Sequence, residues 1–494
     1  MTSKSETIPA PIGGWNARDS VDSMDTTDAI QLDNFFPGVS RCKLRKGFTP
    51  HATGMGTGSV STVIEYSPKS GTRKLVAGAN GKLYDATAAG AATEKATGFT
   101  SNAWQSVVFA NTLVLVNGAD QPQQYDGTTV STAAYTGISD DNKLANVSVY
   151  KGRIYFTEAA STSLWYGAPG NVTGALTAFE LGTYLRLGGS LIYAGSWVND
   201  TGSGIQDLFV VISDMGEIIV YAGDYPAASN WGAVGHLFIA PPLGRRGVCS
   251  VGADLLIATL DGVYGMSNLL ANKRDKLTTK IDKAWLDVTQ LYGANTGWDI
   301  KYYPKGTYTL INIPLATGTD AEQYVVNTDT GAWCKFTGQK AASWTTFNNG
   351  LYFGGIDGKV YQADIGYEDN GAAIQMRCRY AYSYFKDRAR IKRFTMLRPM
   401  FVGDQGVDMT MGVDTDYEER TISNTISVLG QSGYAWDVGA WDDATWDSVV
   451  LPTRHWYNVS GIGRAGSIVM SGDYKNVNFE LSAINVMYEA GGYL

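Results

Sequence analysis

The sequence has little charge, histidine, cysteine or proline, and no long apolar run. Only 17% of its 494 residues are Asp, Glu, Lys or Arg, and three are histidine: His51, His236 and His455. So few imidazoles leave little material for histidine-based catalysis. The four cysteines (Cys42, Cys249, Cys334, Cys378) are scattered without CxxC spacing and read as buried thiols in a reducing compartment. No stretch approaches 18 uninterrupted apolar residues, and the opening MTSKSETIPAPIGGW lacks an apolar h-region. Neither a transmembrane helix nor a signal peptide is expected. Thirty-nine Lys and Arg face 47 Asp and Glu, a net charge of −8, which argues against wrapping nucleic acid by charge. There is no GxxxxGK[ST] phosphate loop and no G-x-S-x-G elbow, so P-loop and serine-hydrolase chemistry have no support.

Glycine and aromatics are abundant. The chain has 58 Gly against 14 Pro, and 13 Trp, 29 Tyr and 16 Phe. That glycine share is nearly double the usual share of about 7%. Collagen is excluded because no G-X-Y period exists, and 44% hydrophobic residues exclude disorder. Glycine together with Tyr and Trp implies many short strands joined by tight turns, an all-β protein.

From about Val60 to Asp364 one pattern recurs: an aromatic or β-branched strand, a turn, a second apolar strand, and a third strand ending in Tyr. Taking the units to start at 74, 112, 152, 207, 254, 308 and 350, the steps run from 38 to 55 residues. Asn80-Gly81, Asp261-Gly262 and Asp357-Gly358 read as two-residue type I′ turns. Strand groups at a step of roughly 40–50 residues indicate propeller blades, because small sheets bury both faces only by stacking around an axis. The expectation is a β-propeller of six to eight blades over residues 51–368. The competing architecture is one or two long β-sandwiches with evenly placed turns.

Residues 1–50 read as an N-terminal arm with too little apolar surface to fold alone. Within it, Thr26 or Thr27 caps an expected helical turn carrying Ala29, Leu32 and Phe36, ended by Pro37. A helix is expected over 280–291, capped by Thr279, with Ile281, Trp285, Val288 and Tyr292 as its apolar stripe. It should pack outside the propeller or against a neighbouring subunit. Residues 366–373 read as a linker, and 369–494 as a C-terminal β-sandwich-like domain.

Several features invite a functional reading. Asn327 to Trp333 approaches a sialidase Asp-box, but one residue short and only once, so a structural turn is the better account. The carboxylate-dense 414–419 lacks the glycine of a calcium loop and reads as a solvated turn. Arg377, Arg379, Lys386, Arg388, Arg390, Lys392, Arg393 and Arg398 put eight cations within 22 residues, against Asp387 alone. They suit a subunit interface, a solvated face or phosphate contacts. Trp436, Trp441 and Trp446, each followed by Asp, recur every five residues in a loop that either packs, meets a subunit or straps a sugar or protein. Gly244-Arg245-Arg246-Gly247 is a tight turn whose arginines are candidates for bridging an interface.

Certain runs resemble a known family. They are GGWNARDSVDSMDTTDAIQLDNFFPG followed by Leu44-Arg45-Lys46-Gly47-Phe48, the stretch Asp207 to Ser213 with Gly216-Glu217, Val220-Tyr221, Gly223, Asp224 and Pro226, and the run from Trp231 to Arg246. The resemblance is to the tail nozzle proteins of short-tailed bacteriophages, also described as head-to-tail joining, plug or tail tubular proteins. It covers most of residues 9–270. It implies a structural virion protein at the tail tip: a homohexameric ring below portal and adaptor, with tail fibres or spikes as further candidate partners. Double-stranded DNA would pass through without specific binding, and no enzyme activity, small-molecule substrate, metal or cofactor is implied. The arm would cross onto the next subunit, making Trp15, Arg18 and Asp19 interface candidates with Arg245, Arg246, Trp285, the cationic segment and the three loop tryptophans. The alternative expectation is a receptor- or glycan-binding propeller of a phage tail.

Overall fold

The computed structural model describes residues 3–200, 205–403, 407–420, 422, 425–428 and 455–491. Seven small antiparallel sheets succeed one another along the chain. Blade 1 comprises Thr62–Tyr66, Lys74–Ala79, Lys82–Asp85 and Thr93–Thr97, and blade 2 begins at Gln105–Phe109. Blades 3, 4, 5, 6 and 7 begin at Leu144–Tyr150, Leu191–Asp200, Val248–Val251, Asp299–Tyr303 and Ala341–Phe347. The unit starts read from the sequence fall at or within two residues of the start of each second strand. These strands, such as Thr112–Val116 (TLVLV), are apolar on both faces because a sheet lies on each side.

A separate apolar cluster fills the gaps between blades 1 and 2, 2 and 3, 3 and 4, 4 and 5, 5 and 6, and 7 and 1. The first strand of blade 7 lies against the first strand of blade 1, so the ring closes. The protein is an all-β, seven-bladed propeller joined to a sandwich. Blade 7 takes its fourth strand from the N-terminal side: Phe48–Thr53 pairs with Val360–Ala363. Blade 5 has three strands, and the exposed edge of its last, Gly262–Gly265, is covered by the helical segment that follows.

The sandwich is built from both ends of the chain. One sheet orders Tyr457–Gly463, Lys392–Gly403, Phe479–Ala490, Cys42–Leu44 and Phe35–Pro37, with Ser3–Pro9 also on Phe479–Ala490. The other runs from Asp28–Asp33 through Ile374–Tyr380, Gly466–Tyr474 and Val407–Thr415 to Thr425–Val428. Asp28–Asp33 also meets Trp333–Phe336, the outer strand of blade 6, so one sheet continues from propeller into sandwich. Residues 3–50, which have too little apolar surface to fold alone, thus lie against their own chain as sandwich and blade strands.

Four local expectations are corrected. Residues 28–37 are strands, not a helical turn, because Asp28–Asp33 hydrogen-bonds neighbours on both edges and this pairing overrides local propensity. Thr279 does not cap the helix: its hydroxyl donates to the Lys276 carbonyl within a 3₁₀ turn, and the α-helix is Asp282–Tyr292. Of the three turns, Asn80-Gly81 has positive φ at both residues. At the second, Thr259 pairs with Gly262, so the loop is Leu260-Asp261, and at the third only Gly358 has a left-handed φ. Finally, 366–373 is clasped rather than loose. The Arg45 side chain, 1% exposed, donates to Asn34, Lys46 O, Thr337 O and both Asp369 oxygens, using all five N–H groups. No helix among the described residues is long and apolar enough to cross a membrane.

Candidate functional site: the propeller axis and the cationic segment

The first strands of all seven blades converge on an axial cavity of about 270 Å³. Side chains alternate along these strands, so in blade 6 Asp299 and Lys301 line the cavity while Ile300 packs outward between blades 5 and 6. The loop before blade 5 sends Arg245 and Arg246 into the same space. Arg246 reaches across to blade 1: its Nη1 donates to Ser61 O at 2.6 Å, and its Nη2 donates to Thr62 Oγ1 at 2.6 Å and Trp104 O at 2.9 Å. Arg245 Nη1 donates to Asn117 O of blade 2 at 3.4 Å. Asp299 Oδ2 accepts from the Trp344 N–H at 2.9 Å.

Burial dominates the electrostatics here. It lowers the pKa of Arg245 and of Arg246, the latter opposed by the nearby Asp299 carboxylate. It raises that of Asp299 above the ordinary carboxylate range, against the pull of Lys301, Arg246 and the Trp344 N–H. Three cations thus share the axis with one carboxylate.

Arg245 and Arg246 are consequently not bridges to a neighbour; they tie blade 5 to blades 1 and 2. Trp285 is corrected likewise. It is 0% exposed, packs with Trp298 and Tyr324, and donates its indole N–H to Thr259 O at 3.0 Å. Trp15 is half-buried edge-on against Tyr324, with ring centroids 5.0 Å apart. Arg18 and Asp19 pair with each other at 2.7 Å near the surface, and this hydrogen bond, with one from Asn16, holds the Asp19 pKa down to about 2.

The cationic segment divides. Lys392 is 1% exposed and donates to the Asp387, Arg390 and Arg464 carbonyls, so it is a structural clamp and not an interface residue. Arg379 is internal, paired with buried Asp414 at 3.2 Å and with Glu419. Arg377 pairs with Asp473 at 3.2 Å and Arg390 with Asp387 at 3.4 Å. Arg388 lies 4.5 Å over the Tyr384 ring and donates to Asp22 O. Lys386 and Arg393 project farthest, at 86% and 64% exposure. Trp436, Trp441 and Trp446 lie outside the described residues.

The other sequence candidates are structural. Asn327 Oδ1 accepts from the Asp329 and Thr330 N–H groups, and Trp333 is buried, so the Asp-box-like run is a turn. Asp416, in the carboxylate-dense run, accepts from the Arg464 and Ala465 N–H groups. Among the described residues no group of three or more His, Cys, Asp or Glu is placed to hold a metal ion. Sequence reading missed Asp299 and Lys301. Their signal was a charged pair at i and i+2, on one face of a short strand just before the repeat unit that starts at 308.

No protein-family model and no curated protein matches the chain. Among solved structures it is similar to YCF48 from Cyanidioschyzon merolae, with 10% identity and a TM-score of 0.41 over 64% of this chain and 98% of that one. It is also similar to the computationally designed Ika8 protein, at 12% identity and a TM-score of 0.37 over 64% and 100%. A third is PorZ, an essential surface component of the type-IX secretion system of Porphyromonas gingivalis, at 13% and 0.37 over 67% and 42%. Likeness this distant carries no functional argument, and the propeller stands on its own strand pairing and ring contacts.

Proposed function

We propose that this chain is a non-enzymatic structural subunit of a virion, a tail nozzle protein of a short-tailed bacteriophage. Six copies form a ring beneath the portal and adaptor, retain the packaged genome and conduct it during ejection. The observation that carries the reading is how the family-like N-terminal run is used. It is woven through the sandwich and ends as the closing strand of the propeller, with Arg45 clamping the junction. Bracing of this kind suits a tube wall that holds back a packaged genome. The net charge of −8 supports the conduit role, because few phosphate contacts would retard sliding DNA. Lys386 and Arg393, exposed and only 3.9 Å from their own Glu6 and Glu489, offer a cationic edge to a neighbouring copy. The test is the mass and shape of the purified protein, alone and with the portal–adaptor complex, by mass photometry and negative-stain imaging. A sixfold ring is expected in at least one condition, weakened by the double substitution Lys386→Glu and Arg393→Glu. A monomer in both conditions overturns the reading and leaves the receptor- or glycan-binding propeller.

A further inference from the structure

We infer that the axial cavity of the propeller is a binding site for a small oxyanion, a carboxylate or a phosphate. The inference does not depend on the nozzle reading.

Three cationic side chains, Arg245, Arg246 and Lys301, reach a space whose walls carry one carboxylate, Asp299. These charges are not consumed by each other. Arg246 spends its terminal N–H groups on two carbonyls and a hydroxyl, and Asp299 accepts from a backbone N–H. Arg245 has one long bond of 3.4 Å, and Lys301 acts on Asp299 only through space, without a hydrogen bond among the described residues. Two donors with spare capacity therefore face a cavity of net positive charge. Beside them the Ser148 hydroxyl, on the first strand of blade 3, is buried without a hydrogen-bond partner. Buried polar groups are satisfied in nearly all proteins, so such an atom on a cavity wall marks a place for a ligand or ordered water.

About 270 Å³ holds roughly nine waters at about 30 Å³ each, which leaves room for a phosphate or a short dicarboxylate. Placed among low-dielectric walls, an anion gains more from these cations than it would at the surface. Recruitment from seven separate strands also means that occupancy would stiffen the whole ring, since every blade borders the site.

The experiment is calorimetric titration of the full chain with inorganic phosphate and with succinate, in chloride of matched ionic strength. Thermal unfolding is followed in parallel. At least one anion should bind and raise the melting temperature, by about 1 °C per kcal/mol of binding stabilisation for a chain of 494 residues. Phosphate-only and succinate-only binding identify which oxyanion the site takes. Arg245→Met and Lys301→Met should each weaken binding about tenfold or more, while Lys386→Met with Arg393→Met, on the exposed sandwich edge, should leave it unchanged. Each variant is compared with itself in chloride, so a loss of basal stability does not mimic the effect. Absence of binding by both anions at millimolar concentration overturns the inference. So does binding that survives Arg245→Met and Lys301→Met or disappears with the surface pair.

Discussion

The propeller and the sandwich are built from the same strand chemistry but differ in where their partners come from. Blade 2 is closed between Gln105 and Thr132, each strand pairing with the next one along the chain. In the sandwich Ser3 pairs with Glu489, Ala29 with Tyr380 and Lys43 with Glu480. Local hairpins are specified by their turns and alternation, whereas sandwich pairs form only after the chain has closed loops of hundreds of residues. The difference teaches that the propeller is a series of nearly independent units, while the sandwich depends on the ends meeting. Strand Phe48–Thr53 and the Arg45 clamp couple the two.

That contrast can be broken most forcefully at Arg45. Arg45→Ala leaves the Asp369 carboxylate without its partner and should cost about 3–5 kcal/mol. Calorimetry should then show sandwich and propeller melting apart; a single transition at the original temperature would contradict the coupling. Within the propeller, Arg246→Met strands the Ser61 and Trp104 carbonyls and should cost about 1–3 kcal/mol, less because cavity water can reach them. Chemical denaturation should show this loss as a lowered midpoint of the coupled unfolding transition.

A smaller effect is pH-dependent and confined to blade 4. Burial opposes ionisation of Glu217, but the Leu187 and Arg186 N–H groups and His236 outweigh it and hold its pKa below the ordinary glutamate value of 4.5. A depressed folded value contributes stability that is present above the ordinary value and lost as pH falls through the folded one. The hydrogen-exchange protection of the Arg186 and Leu187 amides, relative to their intrinsic rates, should therefore fall on acidification below 4.5, and Glu217→Gln should abolish that pH dependence. The smallest effect has the opposite sign. Ala110 has φ +46° in an exposed turn, a left-handed conformation costly for alanine, so Ala110→Gly should stabilise by about 0.5 kcal/mol in urea titration.

Legibility in the sequence followed the same division. The seven repeat units were visible because apolar alternation and turn residues recur at short range. The turn types were less so. Asn80-Gly81 adopts left-handed φ at both residues as its type suggests, but Ala110-Asn111, Lys151-Gly152 and Asn348-Asn349 do so as well, with Asn111 and Asn349 where glycine would be expected and Ala110 and Lys151 where asparagine would be. Arg245, Arg246 and Lys392 were recognisable as unusual residues but not as internal ones. An arginine in a Gly-flanked turn gives no sign that the turn opens onto the axis of a ring. The segment 28–37 carries a helix-like spacing of Ala29, Leu32 and Phe36, and only its two strand neighbours, Trp333–Phe336 and Ile374–Tyr380, make it extended.

Composition and local pattern alone were enough for the strand-rich class, the repeating blades and the low charge, since each reflects backbone preference or burial within one hairpin. Tertiary structure settled the seven-fold closure, the two-ended sandwich and the charged axis. Those features join residues far apart in sequence, and the free energy that selects them exists only when the distant faces are in contact.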